Sequence, residues 1–170
     1  MRTFITLALV LLWPVNAWSQ SSNSPIPDFT ATALTGEKVS AAQLIGQSTI
    51  LIVTPSTDAA KSTRLWAEAL RKNIDQTRVR IRDVLAIDLP FFMSEKDAIG
   101  RAKEKIPTRY HDQTWILSES SLESALNIPH DSAKAFVFVL DAKGAVIARV
   151  EGEPDDAKII EVEKAVRSNQ

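Results

Sequence analysis

Two uncharged runs constrain this chain more than anything else in it. Ser48-Thr49-Ile50-Leu51-Ile52-Val53 and Ala135-Phe136-Val137-Phe138-Val139-Leu140 are rich in β-branched and aromatic residues and show no polar alternation. A strand with one face in water alternates apolar and polar residues, whereas a strand covered on both faces does not. Both runs therefore predict interior strands of a sheet that carries other elements on each side.

The rest of the chain supplies those elements. Phe29 to Leu34 predicts a strand turned by Thr35-Gly36-Glu37-Lys38, and Val39 to Ile45 a short helical or turn segment closed by Gly46. Behind Pro55-Ser56-Thr57-Asp58, which offers helix caps, Trp66, Ala69, Leu70 and Ile74 recur at helical spacing. Arg64, Glu68, Arg71 and Lys72 fall largely outside that stripe. Val79, Ile81 and Val84-Leu85-Ala86-Ile87 predict the next strand, ending at Asp88-Leu89-Pro90. Ser94-Glu95-Lys96-Asp97 has capping-box form and starts a second helix that runs to about Lys105, with Pro107 beyond it. Thr114 to Leu117 reads as a short strand, and Ser120-Ser121-Leu122-Glu123 as a second capping box. Asp141-Ala142-Lys143-Gly144 turns the 135–140 strand into a hairpin with Ala145 to Val150. Pro154-Asp155-Asp156 opens a last helix whose apolar face is Ile159, Val162 and Val166. Alternating strands and helices followed by a hairpin and one helix make an α/β layer architecture with a mixed sheet, in a single domain.

The first 19 residues read as a signal peptide. Arg2 precedes an apolar run from Phe4 to Trp13 that is too short for a bilayer, which takes about 20 residues. Small residues follow at Val15-Asn16-Ala17 and Ala17-Trp18-Ser19, placing cleavage after Ala17 or Ser19. Residues 20–27 read as a flexible arm, with Pro25-Ile26-Pro27-Asp28 opening the domain that fills 28–170. No later stretch is apolar enough to span a membrane, so the expected location is the periplasm or the exterior. The chain has a formal net charge of −1 and lacks basic clusters, which argues against nucleic acid as partner. It contains no cysteine, so disulfides cannot support the exported domain and its stability rests on packing.

Three stretches resemble the thioredoxin-like superfamily in its redoxin or peroxiredoxin-like form. Pro25-Ile26-Pro27-Asp28-Phe29 followed by Leu34-Thr35-Gly36-Glu37 is similar to the opening of redoxins. Ile50-Leu51-Ile52-Val53-Thr54 followed by a loop and helix is similar to the strand leading into their active-site turn. Val137-Phe138-Val139-Leu140-Asp141-Ala142-Lys143-Gly144 resembles their terminal hairpin. The resemblance implies a thioredoxin-like mixed sheet flanked by helices. It also implies redox cysteines in the turn Thr54-Pro55-Ser56-Thr57-Asp58-Ala59-Ala60-Lys61, where there are none. A cis-proline is implied just before the hairpin, where the chain reads Asp131-Ser132-Ala133-Lys134-Ala135 with no proline nearer than Pro129. The chain thus looks like a cysteine-free exported branch of the superfamily. The family's groove, which binds extended peptide beside that position, implies a non-catalytic module for an envelope protein or peptide.

Other chemistry has few residues to work with. His130-Asp131 beside Ser132 has the form of a base with its orienting carboxylate, but reads first as a solvated turn. His111-Asp112 reads the same way. An enzyme of non-thiol chemistry using the vacant turn with His130 is the alternative reading. A metal protein is a lesser one, because the two histidines lie in separate loops and Asp88 is the one further candidate ligand considered. Ser56-Thr57 reads as a cap before it reads as a nucleophile. No cofactor motif is present. The candidate degenerate turn is Thr54, Pro55, Ser56, Thr57 and Asp58; the candidate binding residues are His130, Asp131, Lys134, Phe91 and Phe92. Phe91-Phe92-Met93 after Pro90 is the best candidate for exposed apolar surface, and Tyr110 and Trp115 are either core or partner-facing.

Disulfide exchange and peroxide reduction need a thiolate, which a hydroxyl cannot replace. The mature chain is therefore expected to reduce neither insulin disulfides nor hydrogen peroxide; turnover above a protein-free control would contradict this.

Overall fold

The computed structural model describes residues 25–86, 89–117 and 121–169. The signal-peptide expectation, the arm at 20–24, Ile87, Asp88 and Ser120 lie outside these residues. Seven strands form one sheet: β1 (Thr30–Ala33), β2 (Lys38–Ser40), β3 (Thr49–Thr54), β4 (Arg80–Leu85), β5 (Thr114–Leu117), β6 (Phe136–Leu140) and β7 (Val146–Glu151). Four helices accompany them: α1 (Ala60–Asn73), α2 (Glu95–Lys105), α3 (Ser121–Ala125) and α4 (Asp156–Arg167). The strand order is β2-β1-β5-β4-β3-β6-β7. β3 runs parallel to β4, and β4 to β5; β6 runs antiparallel to β3.

The uncharged runs behave as their pattern requires. Every residue of β3 and β6 is buried. In β3, Ile50 and Ile52 join one cluster with Trp66 and Leu70 of α1 and Val162 and Val166 of α4. Leu51 and Val53 join another with Phe29, Leu44, Trp115, Leu122 and Phe138. Successive side chains of a strand point to opposite faces, so a strand between two packed layers must be apolar at every position. Trp115 is core: its ring packs 6.3 Å from that of Phe29, and its Nε1–H donates to the Asp112 carbonyl at 3.1 Å.

Four expectations are corrected. Val39 lies in β2, paired with Ala31, and the helical segment is only the 3-10 turn Ala41–Leu44. A three-residue strand is too short to show its period. The strand expected from Val79 begins at Arg80 and is assigned to Leu85, and the Ala86 N–H makes the next rung of its ladder, onto the Thr54 carbonyl at 2.9 Å. The arm drawn over 20–27 is already part of the fold at Pro25: Pro25 bridges to Ala145, the Ile26 N–H donates to Gly144 O at 2.8 Å, and Ile26 is buried. Arg71 is not on the solvent side of α1. Its side chain and that of Asp83 on β4 are only 9% and 11% exposed, and they pair at 2.6 Å. The Arg71 guanidinium also lies 4.2 Å over the half-buried Tyr110 ring. A long cationic side chain looks solvent-facing by position, but here a carboxylate on the facing strand draws it inward.

Burial raises the Asp83 carboxyl above the ordinary range, with Arg71 pulling it back down. A native pKa above the unfolded one means that the native state holds the proton more tightly. Asp83's contribution to stability is then largest below the ordinary carboxylate value and falls as pH rises through the raised one. In Asp83→Asn that fall should vanish from a pH series of denaturation curves. Removing one partner strands a buried charge, so Asp83→Ala is expected to cost about 3–5 kcal/mol. The double variant Arg71→Met/Asp83→Leu should recover most of that loss, as read from urea midpoints.

Candidate functional site

Strand direction gathers the candidate residues. Because β3 and β4 are parallel and β6 is antiparallel to β3, the C-terminal ends of β3 and β4 and the N-terminal end of β6 share one end of the sheet. The connections leaving them are the 55–59 turn, the 86–94 connection and the 129–135 loop. Ser56 Oγ bonds the Ser132 carbonyl, joining the turn to the 129–135 loop, and the Ala86 N–H bonds the Thr54 carbonyl.

Within the turn, Thr54, Pro55 and Ser56 are buried, and Thr57 and Asp58 are exposed. The buried hydroxyls are committed to structure. Thr54 Oγ1 donates to Thr63 Oγ1 at 2.9 Å, and Thr63 Oγ1 donates to the Ala59 carbonyl at 3.2 Å. Ser56 Oγ donates to the Ser132 carbonyl at 2.8 Å, tying the turn to the loop before β6. This revises the cap expectation. The N-cap of α1 is Ala59, without a side-chain cap; Ser56 Oγ accepts only the Ala59 N–H, at 3.4 Å, and Thr57 contributes its carbonyl to Ala60 N–H. A serine hydroxyl has one proton. Donated to a carbonyl, it is not in the hands of a base, so Ser56 is not arranged as a nucleophile.

Across from the turn, Asp131 has φ +52°, a left-handed conformation that Asp tolerates better than most residues. His130 Nε2 lies 3.3 Å from Asp131 Oδ2, and both side chains are largely exposed. The pair joins two consecutive residues at the surface, without enclosure. Lys134 Nζ donates to Glu151 Oε1 at 2.8 Å, and this bond holds the Glu151 carboxyl below the ordinary range. Among the described residues, nothing hydrogen-bonds the amide or the carbonyl of Ala133, which is exposed. No cis peptide bond occurs among them. His111 belongs elsewhere: its Nε2 bonds the carbonyl of Ile106 at 2.8 Å, closing the end of α2. No group of three or more His, Asp and Glu converges as a metal site among the described residues. Asp88 lies outside them.

Phe91 and Phe92 occupy the tip of a tight turn closed by Met93 N–H to Pro90 O at 2.8 Å. They are 101% and 71% exposed, and their rings meet edge to face at 5.4 Å. The exposed apolar surface expected at Phe91-Phe92 is thus present.

The sequence reading missed the braces behind this end. Gly152, at φ +86°, presents its carbonyl to Trp66 Nε1–H at 2.7 Å and Ser62 Oγ–H at 2.9 Å, and its N–H donates to Ala135 O at 2.9 Å. Trp66 was legible as core by its period. The partner of its N–H was not, because it stands 86 residues away in sequence.

No protein-family model and no curated protein matches the chain. Solved structures do. A putative electron transfer protein from Aquifex aeolicus VF5 superposes with TM-score 0.65 at 14% identity, over 86% of this chain and 95% of that one. The exposed lipoprotein thioredoxin Etrx1 of Streptococcus pneumoniae strain TIGR4 gives 0.60 at 11%, over 81% and 98%. A putative thiol:disulfide interchange protein DsbE from Chlorobium tepidum gives 0.60 at 13%, over 86% and 96%. At these identities the likeness establishes the fold. The fold is thioredoxin-like, and the chain that adopts it contains no cysteine.

Proposed function

We propose that this is an exported, redox-inactive thioredoxin-like protein of the periplasm that binds an extended segment of an envelope protein or peptide. One observation carries the reading: at that end of the sheet the buried hydroxyls are bonded within the fold, while exposed side chains and an unbonded stretch of backbone surround them. Thr54 and Ser56 serve as ties. Thr57, Asp58, His130, Asp131 and Lys134 are exposed around them. The unpaired Ala133 amide and carbonyl supply the donor and acceptor that an added strand needs. Phe91 and Phe92, between β4 and α2, are exposed apolar residues. Main-chain pairing supplies affinity without any nucleophile, so the surface functions with the cysteines gone.

The test is capture by the mature chain in its own periplasm, with crosslinking and identification of what is held. Thr57→Arg and Asp58→Arg place bulk and charge on exposed positions and leave the ties intact. They are expected to release a specific envelope partner by about tenfold or more, as bulky charge at a binding centre does, without changing the circular dichroism spectrum. A partner held equally well by both variants would move the binding surface away from this turn, and the absence of any specific partner would defeat the reading.

A further inference from the structure

We propose that α2 is a cover that lifts from the sheet by itself, ahead of the rest of the fold, and bares a buried strip across β4, β5 and β1. The first observation is what α2 buries. Among the described residues, α1 buries Trp66 and Leu70, α3 Leu122, and α4 Val162 and Val166, while α2 buries no residue. Its inward row, Ala98, Ile99 and Ala102, is half-buried. Neither apolar cluster contains a residue of α2. A helix in a protein owes most of its stability to the packing of its apolar face, and one as short as Glu95–Lys105 is marginal in water on its own. The chain also places a glycine in its middle. Gly100 is exposed, and a Cβ there would meet nothing within 4 Å. No close approach calls for it, and it weakens the helix about fivefold relative to alanine.

The second observation is how α2 is held. At its start, Glu95 accepts the Thr32 hydroxyl and pairs with Lys38 Nζ at 3.1 Å, with the lysine and glutamate side chains 71% and 35% exposed. An ion pair so open to water contributes little. Just past its end, His111 Nε2 bonds the Ile106 carbonyl at 2.8 Å. The Ser94–Asp97 box closes the helix on itself and does not tie it to the sheet.

The third observation is what lies beneath. Thr32, the residue that Glu95 touches, pairs with Ile116, and Ile116 with Leu85, so these three side chains share one face of the sheet. Thr32 and Ile116 are each 3% exposed. Ile116 belongs to neither apolar cluster, so half-buried neighbours cover it, and the inward row of α2 supplies them. Lifting α2 wets this strip and leaves both clusters and the strand ladder intact. An element attached in this way opens as a cooperative unit, at a lower free energy than global unfolding.

Native-state hydrogen exchange on the mature chain reads the opening. Amides of α2 from Ile99 to Lys105 are expected to exchange about a hundredfold or more faster than those of α1 from Trp66 to Asn73, at a rate that low urea barely changes. Val162→Ala, in the cluster beneath α1 and α4, should speed exchange in α1 about tenfold or more and leave α2 unchanged. Gly100→Ala should slow exchange in α2 about fivefold. Because the chain contains no cysteine, an introduced thiol is read alone. Ile116→Cys should be modified by a thiol reagent about tenfold or more faster than Val84→Cys, which lies in the other cluster. Exchange in α2 that follows α1 in rate and in urea dependence overturns the proposal, as does equal modification of the two thiols. Neither readout involves a partner, so both stand whether or not the 54–58 turn holds a peptide.

Discussion

Strand β3 has no residue in contact with water, and the rest of the architecture follows from that. A strand covered on both faces needs a layer above and a layer below, and a hydrogen-bonded neighbour on each side. Here α1 and α4 supply one layer; α3, the 3-10 turn and the opening segment supply the other. β4 and β6 supply the neighbours. Fully burying each apolar side chain of this strand contributes about 1.5–3 kcal/mol, so the run cannot be shifted by one residue without cost on both faces. The direction of β3 then decides where the connections meet. Its C-terminal end delivers the turn, and the parallel and antiparallel neighbours bring the other two loops to the same place.

What holds that end together is a small set of buried hydrogen bonds between segments remote in sequence. Ser56 ties the turn to the loop before β6, and Trp66 and Ser62 tie α1 to Gly152. Such bonds contribute about 1 kcal/mol each, but they are directional, and they fix loops that apolar packing alone would leave free to slide. The site-forming turn therefore has a structural occupation for its hydroxyls. A thiol in the same place would be available for exchange; a serine bonded to a carbonyl is a strut.

At that end of the sheet the exposed Ala133 keeps its amide and carbonyl unbonded among the described residues. Solved structures of this fold are described as electron-transfer and disulfide-interchange proteins, whereas this chain contains no cysteine.

By itself, the sequence determined the strand-helix order, the interior position of β3 and β6, the caps at Ser94 and Asp155, the turn at Gly144 and the absence of thiol chemistry. These are local or compositional facts: a period, a capping side chain, a missing atom. Exposure of Phe91 and Phe92 was legible too, because Pro90 interrupts the pattern ahead of them. The tertiary structure alone decided that Arg71 turns inward to Asp83, that Ser56 donates to Ser132, that Val39 is a strand residue, and that Gly152 receives Trp66. Each depends on a partner brought close by folding, and a side chain's choice between water and a distant partner leaves no periodic trace along the chain.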